Sequence, residues 1–289
     1  MIPITKKRVI TLFLICCVGL LGSMFAVRVY ATQNYSDPDG PRFVGNHAEE
    51  NLVSSDVTNG EISVISYNIR YALNMDEAIT ELEALEAEQG ADIILLQEMD
   101  EIGVEQVAQS LALNYVYYPA GIEPLYSHNF GNAILSKWPI TDAEKLILPH
   151  KSLTTGLGRM ATKATITMPD STILVYSIHT ETMLTLPSFR QDQFETILDD
   201  VEADANYVIV GGDFNTVTQA DADDLTQIFY DNGYVRATVG LGNTYAKQRV
   251  EAVADHIFSK GFEVIESGKV AEATASDHLP IWAQLEFSD

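Results

Sequence analysis

The chain has 289 residues, 46% of them hydrophobic, and a formal net charge of −24 at neutral pH. That is enough apolar material for one large packed domain or two small ones. Such acidity argues against a protein that owes its affinity to long-range attraction for nucleic acid or anionic lipid, although a local basic pocket or a bound cation can invert the field.

Lys6, Lys7 and Arg8 precede an uncharged run of nineteen residues, Val9–Val27. Its length is close to the ~20 residues that cross a bilayer as a helix and exceeds the ~7–15-residue apolar core of a signal peptide. Val29-Tyr30-Ala31 offers a small-residue cleavage site, with Arg28 an awkward neighbour. An uncleaved anchor is the first reading and a cleaved signal the second. Both keep the basic cluster inside and export residues 32–289, so the protein is expected to be membrane-anchored with its domain on the extracytoplasmic side, or secreted. Cys16 and Cys17 both lie in this run, so the exported part has no disulfide. Four of the 17 basic residues and none of the 41 acidic ones belong to residues 1–31, which leaves the remainder 13 basic residues against 41 acidic.

Residues 32–60, rich in Asp, Asn, Gly, Pro and Ser and without periodicity, read as a flexible linker. Glu61–Ile69 begins the strands. Met75–Gln89 carries Ile79, Leu82 and Leu85 at helical spacing and stops at Gly90. Asp92–Gln97 is a buried strand, and Val104, Val107 and Leu111 mark a helix. Short strands follow at Tyr115–Pro119, Gly131–Ser136, Ile140–Leu148, Met160–Met168 and Thr172–His179. Phe194, Ile197, Leu198 and Val201 define a further helix. Val208–Val210 then runs into Gly211 and Gly212, where the backbone can bend sharply or approach a neighbour closely. A helix near Ala222–Asn232 and strands at Asp255–Ser259, Glu263–Val270 and Pro280–Phe287 complete the pattern. Many strands are apolar on both faces, as two stacked sheets flanked by helices require. Residues 61–289 therefore read as one domain.

Several strands end in polar residues that no core needs: Asn68 before Ile69, Gln97-Glu98, His179-Thr180, Asp213 and Asn215 after the two glycines, Asp255 in DHIF, and Ser276-Asp277-His278. In this order YNIR, QE, GNAILS, IHT, GGDFN, DHIF and SDHLP resemble the endonuclease/exonuclease/phosphatase superfamily, over about Glu61 to Phe287. GDFN with SDH is specific to that superfamily and silent about substrate. The resemblance implies a four-layer α/β/β/α sandwich of two packed mixed sheets, preceded here by the N-terminal transmembrane or signal segment. It implies a phosphoester hydrolase in which Glu98, with Asn68 beside it and Asp277 nearby, looks like the metal site. His278 and Asp255 resemble a dyad, Asp213 an acid that activates or positions water, and Asn215 and His179 phosphate contacts. Whether Asp213 or His278 takes the water's proton is open. Arg159 and Asn132 are weaker substrate-binding candidates. Oxygen and amide donors without a cysteine suit Mg²⁺, or Mn²⁺ in its place.

The domain leaves little chain for specificity insertions, no strongly apolar hairpin stands out, and no basic stripe suggests a grip on a duplex. The expected substrate is a small phosphorylated molecule or a phospholipid head group, handled by a monomer that touches the membrane through its leader. An exported nuclease is the runner-up. A domain that binds phosphorylated ligands or a protein partner without hydrolysis is a third reading, weakened because no member of the constellation is missing.

Overall fold

The two strand-rich halves of the sequence become two mixed sheets. The computed structural model describes residues 32–48, 60–182 and 185–288. The leader falls outside them, and among the described residues no helix is long and apolar enough to cross a membrane. In chain order come β1 (Phe43–Gly45), β2 (Glu61–Asn68), α1 (Met75–Gln89), β3 (Ile93–Met99), α2 (Glu101–Ser110), β4 (Asn114–Ile122) and β5 (Asn129–Ser136). Next are β6 (Ile140–Lys151), β7 (Gly158–Thr167), β8 (Thr172–His179), α3 (Pro187–Asp200), β9 (Val208–Asp213) and α4 (Gln219–Asp231). The chain ends with β10 (Val235–Arg236), β11 (Tyr245–Lys247), β12 (Val250–Ala252), β13 (Asp255–Lys260), β14 (Phe262–Lys269) and β15 (Ile281–Phe287).

One sheet has the order β1-β4-β5-β3-β2-β15-β14 and the other β10-β13-β9-β8-β7-β6, while β11 and β12 form a separate hairpin. Each large sheet contains one parallel pair, β2–β3 and β8–β9. The helices α1 and α3 make the crossovers that parallel neighbours need.

Side chains alternate along each strand, and both faces are covered, which accounts for the unbroken apolar runs. Ile62, Val64, Ile93 and Leu95 point inward and meet Ile173, Val175, Ile209 and Ile257 of the second sheet. Ile65, Tyr67, Ile94 and Leu96 point outward beneath Leu82 and Leu85 of α1 and Val104 and Val107 of α2. Across the molecule Tyr176, Ile178, Val208 and Val210 lie under Phe194 and Ile197 of α3 and Leu225 and Phe229 of α4. The result is a helix–sheet–sheet–helix sandwich. Local chemistry supports the helices: Asp100 caps α2 through the Gly103 N–H at 2.7 Å, and Thr218 and Asp221 form a reciprocal box at the start of α4.

The linker expectation fails over residues 32–48. Asn34 bridges Gly121, the Tyr35 N–H donates to the Ala120 carbonyl at 2.8 Å, and β1 pairs antiparallel with β4. The Lys145 ammonium holds the same segment from the second sheet, donating to the Tyr35 and Gly40 carbonyls at 3.1 and 2.6 Å. The physical reason is the edge of β4, whose backbone groups would otherwise be unpaired. A three-residue strand is too short to show a period. The rest of the expected linker, residues 49–59, lies outside the described residues.

Candidate active site

Strand direction decides where the polar residues go. The carboxyl ends of β2, β3, β8 and β9, the start of β13 and the approach to β15 all meet at one end of the sandwich. They deliver Asn68, Glu98, His179, Asp213, Asp255, Asp277 and His278 to a cleft of about 310 Å³ or to the layer just behind it. The cleft is lined by Glu98, His179, Asp213, Asn215, Asp277 and His278, with Arg70, Tyr71, Thr182, Tyr245, Lys247 and Val250 completing its wall.

Close approach, across the sheets at Gly211 and within its own sheet at Gly212, sets the geometry near Asp213. A side chain at Gly211 would meet the Leu95 Cδ1 at 2.6 Å, and one at Gly212 (φ 146°) would sit 2.0 Å from the Ile178 carbonyl oxygen. Immediately beyond, Asn215 takes a left-handed conformation (φ 52°), and its N–H donates to Asp213 Oδ1 at 2.8 Å. On the other sheet Glu98 (φ 58°) and Tyr71 (φ 57°) are also left-handed. Residues with a Cβ seldom hold that conformation without compensation, and such strain gathers at functional sites.

Asp213 is the hub. The Asn68 amide donates to its Oδ2 at 3.0 Å, and His179 Nε2 and His278 Nε2 lie 3.5 and 3.6 Å from the same oxygen. Behind His278, Nδ1 sits 2.9 Å from Asp255 Oδ2, which also accepts the Thr244 hydroxyl at 2.7 Å. Burial alone would pull the His278 imidazole down, but Asp255, Asp213 and Glu98 reverse this and raise it to about 10. Burial, seconded by the charge of Asp255, raises Asp213 to about 6 against the pull of His278. Burial also raises Glu98 to about 7, with Asp213 and Asp277 adding to the effect. His179 is held well below the ordinary range by burial and by the charges of Arg159 and His278, which keeps it neutral.

A cation fits this donor set. Among the described residues no hydrogen-bond donor reaches the Glu98 carboxylate, although it shares the cleft with two further carboxylates, Asp213 and Asp277. Three oxygen-donor acids and no thiolate suit a hard divalent ion. Oxygen or nitrogen atoms of Asp213, Asp255 and His278 also lie within 4.8 Å of one another. There, however, the imidazole–carboxylate hydrogen bond already joins two of the three, which fits a proton-handling dyad better than a ligand set.

Two expectations change. Asn132 does not line the cleft: its amide donates to the Met160 carbonyl at 2.9 Å and the Ser177 carbonyl at 3.3 Å, joining the first sheet to the second. Arg159 is not in the wall either. It is 7% exposed, its Nε donates to Glu181 at 3.0 Å, and its guanidinium reaches the cleft only through His179, 3.3 Å away. Polar residues inside a sandwich need partners, and here the partners come from the opposite sheet and from a buried carboxylate. His256, beside the dyad in sequence, faces away and bonds Thr216 at 2.8 Å.

Sequence reasoning missed Arg70, Tyr71, Thr244, Tyr245 and Lys247. Lys247 Nζ and Arg70 Nε lie 3.0 and 3.6 Å from Asp277 Oδ2. Lys247 and Arg249, close together in so acidic a chain, were the available signal for the hairpin. Nothing local marked Tyr71.

A family model described as Endonuclease/Exonuclease/phosphatase family matches residues 65–278. No curated protein matches. Among solved structures, the endonuclease/exonuclease/phosphatase family protein from Leptotrichia buccalis C-1013-b is 21% identical, with a TM-score of 0.64, covering 78% of this chain and 100% of its own. The Bacteroides thetaiotaomicron VPI-5482 mannosyl-6-phosphatase Bt3783 is 18% identical, with a TM-score of 0.60 over 78% of this chain and 100% of its own. D. rerio TDP2 complexed with a single-strand DNA product is 16% identical, with a TM-score of 0.62 over 78% of this chain and 99% of its own. At these identities the likeness is one of fold.

Proposed function

The chain belongs to the endonuclease/exonuclease/phosphatase family, and from that premise we propose that it is a metal-dependent phosphoester hydrolase in which water attacks phosphorus in line. The observation that carries this reading is the meeting of Glu98, Asp213 and the His278–Asp255 pair at one cleft from widely separated strands.

A hard divalent cation, Mg²⁺ with Mn²⁺ as a substitute, held by Glu98 with Asn68 and Asp277 beside it, would offset charge on the phosphoryl oxygens. The chain's own groups divide the proton work. Asp213, raised only to about 6, is ionised near neutral pH and serves as the base that takes the water's proton. His278, raised to about 10, stays protonated and donates to the charge that develops on phosphorus or the leaving oxygen. Asp255 fixes the imidazole through Nδ1, and Thr244 fixes Asp255. Neutral His179 and the Asn215 amide, which donates to the Thr180 carbonyl at 3.1 Å, border the position of the phosphate.

The cleft volume and the acidic surface favour a small phosphorylated molecule or a phospholipid head group over a duplex. The apolar run Val9–Val27 supports an extracytoplasmic location, which protease accessibility on intact cells would check. Turnover of the full chain on lipid, nucleic-acid and small phosphoesters, with and without EDTA, tests the reaction. His278→Ala is expected to lower turnover by ~10²–10⁴ in a folded protein. Near-normal rates in that variant would refute the assignment, and EDTA-sensitive release of acid-soluble nucleotides would select a nuclease.

A further inference from the structure

The first described residue, Thr32, enters the fold at the same end as the cleft. Its hydroxyl donates to the Thr155 carbonyl in the loop before β7, and the Ile122 N–H at the end of β4 donates to the Gln33 carbonyl at 2.9 Å. The end of β4 and the start of β7 belong to the pole that carries Glu98 and His179, because β4 runs with β3 and β7 runs against β8. From there the chain leaves that pole, along β4 as β1. Only Arg28 to Ala31 separate Thr32 from the apolar run ending at Val27. Even fully extended, the five residue steps from Val27 to Thr32 span about 18 Å.

The loops at this pole expose apolar side chains. Leu125 is 62% exposed between β4 and β5, Leu153 54% between β6 and β7, and Leu186 59% before α3. Leu73, after β2, and Tyr126 are exposed as well. The Tyr126 ring lies 5.0 Å from that of Tyr71 in the cleft wall, and Leu186 follows Thr182, also in the wall, by four positions. Scattered surface leucines need no explanation, but exposed apolar groups on several loops around one opening mark an interaction face.

We propose that the mouth of the cleft faces the bilayer that holds the apolar run, with Leu125, Leu153 and Leu186 at the lipid interface, and that the phosphoester it takes is borne by a lipid of that bilayer. The substrate half of this statement rests on the hydrolase reading; the orientation does not. The short tether rules out the opposite arrangement, since a cleft turned away from the membrane would put the body of the sandwich between Thr32 and Val27. The sequence shows no strongly apolar hairpin, and none is needed here: the face is shared among loops that only the fold brings together.

The test uses the full chain with Cys16→Ser and Cys17→Ser, reconstituted in phosphatidylcholine vesicles containing phosphatidylglycerol. An environment-sensitive fluorophore is placed on Leu125→Cys, Leu153→Cys or, at the opposite pole, Tyr230→Cys. The expected result is a blue-shifted emission quenched by brominated lipid at 125 and 153 and a water-like emission at 230. Equal, water-like emission at all three positions, or loss of the apolar run by cleavage in the mature protein, overturns the orientation. The combined Leu125→Ser, Leu153→Ser, Leu186→Ser variant is expected to release at least tenfold less phosphate or head group from vesicles while hydrolysing soluble p-nitrophenyl phosphate at the unaltered rate. Equal losses on both substrates overturn the substrate half. A chain inert on every phosphoester but lipid-quenched at 125 and 153 sinks the hydrolase reading, and the substrate half with it, while leaving the orientation standing.

Discussion

Two βαβ units face each other across the interior, β2–α1–β3 and β8–α3–β9, and they build their shares of the cleft differently. The first ends in Asn68 and Glu98 and fills the space between the sheets with side chains such as Leu95. The second ends in His179 and Asp213 and leaves that space open at Gly211, while Gly212 lies against the Ile178 backbone of its own sheet. Strain follows the same division. In the first unit it sits on Glu98 itself, left-handed at φ 58°. In the second the unusual backbone is shared between Gly212, which has no side chain to clash, and Asn215 just beyond the strand, while Asp213 between them is held by hydrogen bonds from Asn68 and the Asn215 N–H. On the proposed function, the first unit holds the cation and the second moves the proton.

The sharpest way to break that comparison is kinetic. Asp213→Ala is expected to lose ~10²–10⁴ in turnover that no concentration of Mg²⁺ restores. Glu98→Gln, by contrast, should recover part of its loss as Mg²⁺ is raised. If titration with Mg²⁺ rescues both variants alike, the division of labour is wrong.

Stability separates the units next. Gly212→Ala forces a Cβ to within 2.0 Å of a backbone oxygen, and a loss of about 3 kcal/mol or more is expected in urea unfolding. Glu98→Gly should do the reverse in the metal-free protein. Relief of the left-handed strain, set against the entropy of glycine, leaves a gain of up to about 1 kcal/mol with activity abolished. Destabilisation by both changes would show that Glu98 is not strained.

The smallest effect lies behind Asp213. Burial, seconded by Arg236, lowers the His256 imidazole to about 3 in the folded chain. Between that value and the unfolded value near 6.5 the unfolded chain binds the extra proton, so this contribution is complete above pH 6.5 and lost as pH falls. His256→Gln is expected to lower the slope of unfolding free energy with pH in this window by about 1.4 kcal/mol per pH unit at most. An unchanged slope would mean that the histidine is not held neutral.

Much of this was legible beforehand because the carriers are local. Unbroken apolar runs announce strands covered on both faces, glycine doublets announce close approach, and polar residues directly after such runs announce strand ends. Glu98, His179, Asp213 and the dyad were found in that way and through the family resemblance. Arg159 and Asn132 were read as facing substrate because residue type says nothing about which neighbour satisfies a buried polar group. Glu181 and the Met160 and Ser177 carbonyls answer that only once the sheets are stacked.

From its residues alone this chain determines that it makes two double-covered sheets and which side chains end their strands, since both follow from periodicity within a few neighbours. What waited for the tertiary structure was everything set by contacts across long sequence separations. Within residues 32–48, Phe43–Gly45 became an edge strand because β4 needed a partner. Thr32 and exposed leucines from separate loops came to lie at the same end of the sandwich as the cleft, because strand direction and sheet stacking choose which ends meet.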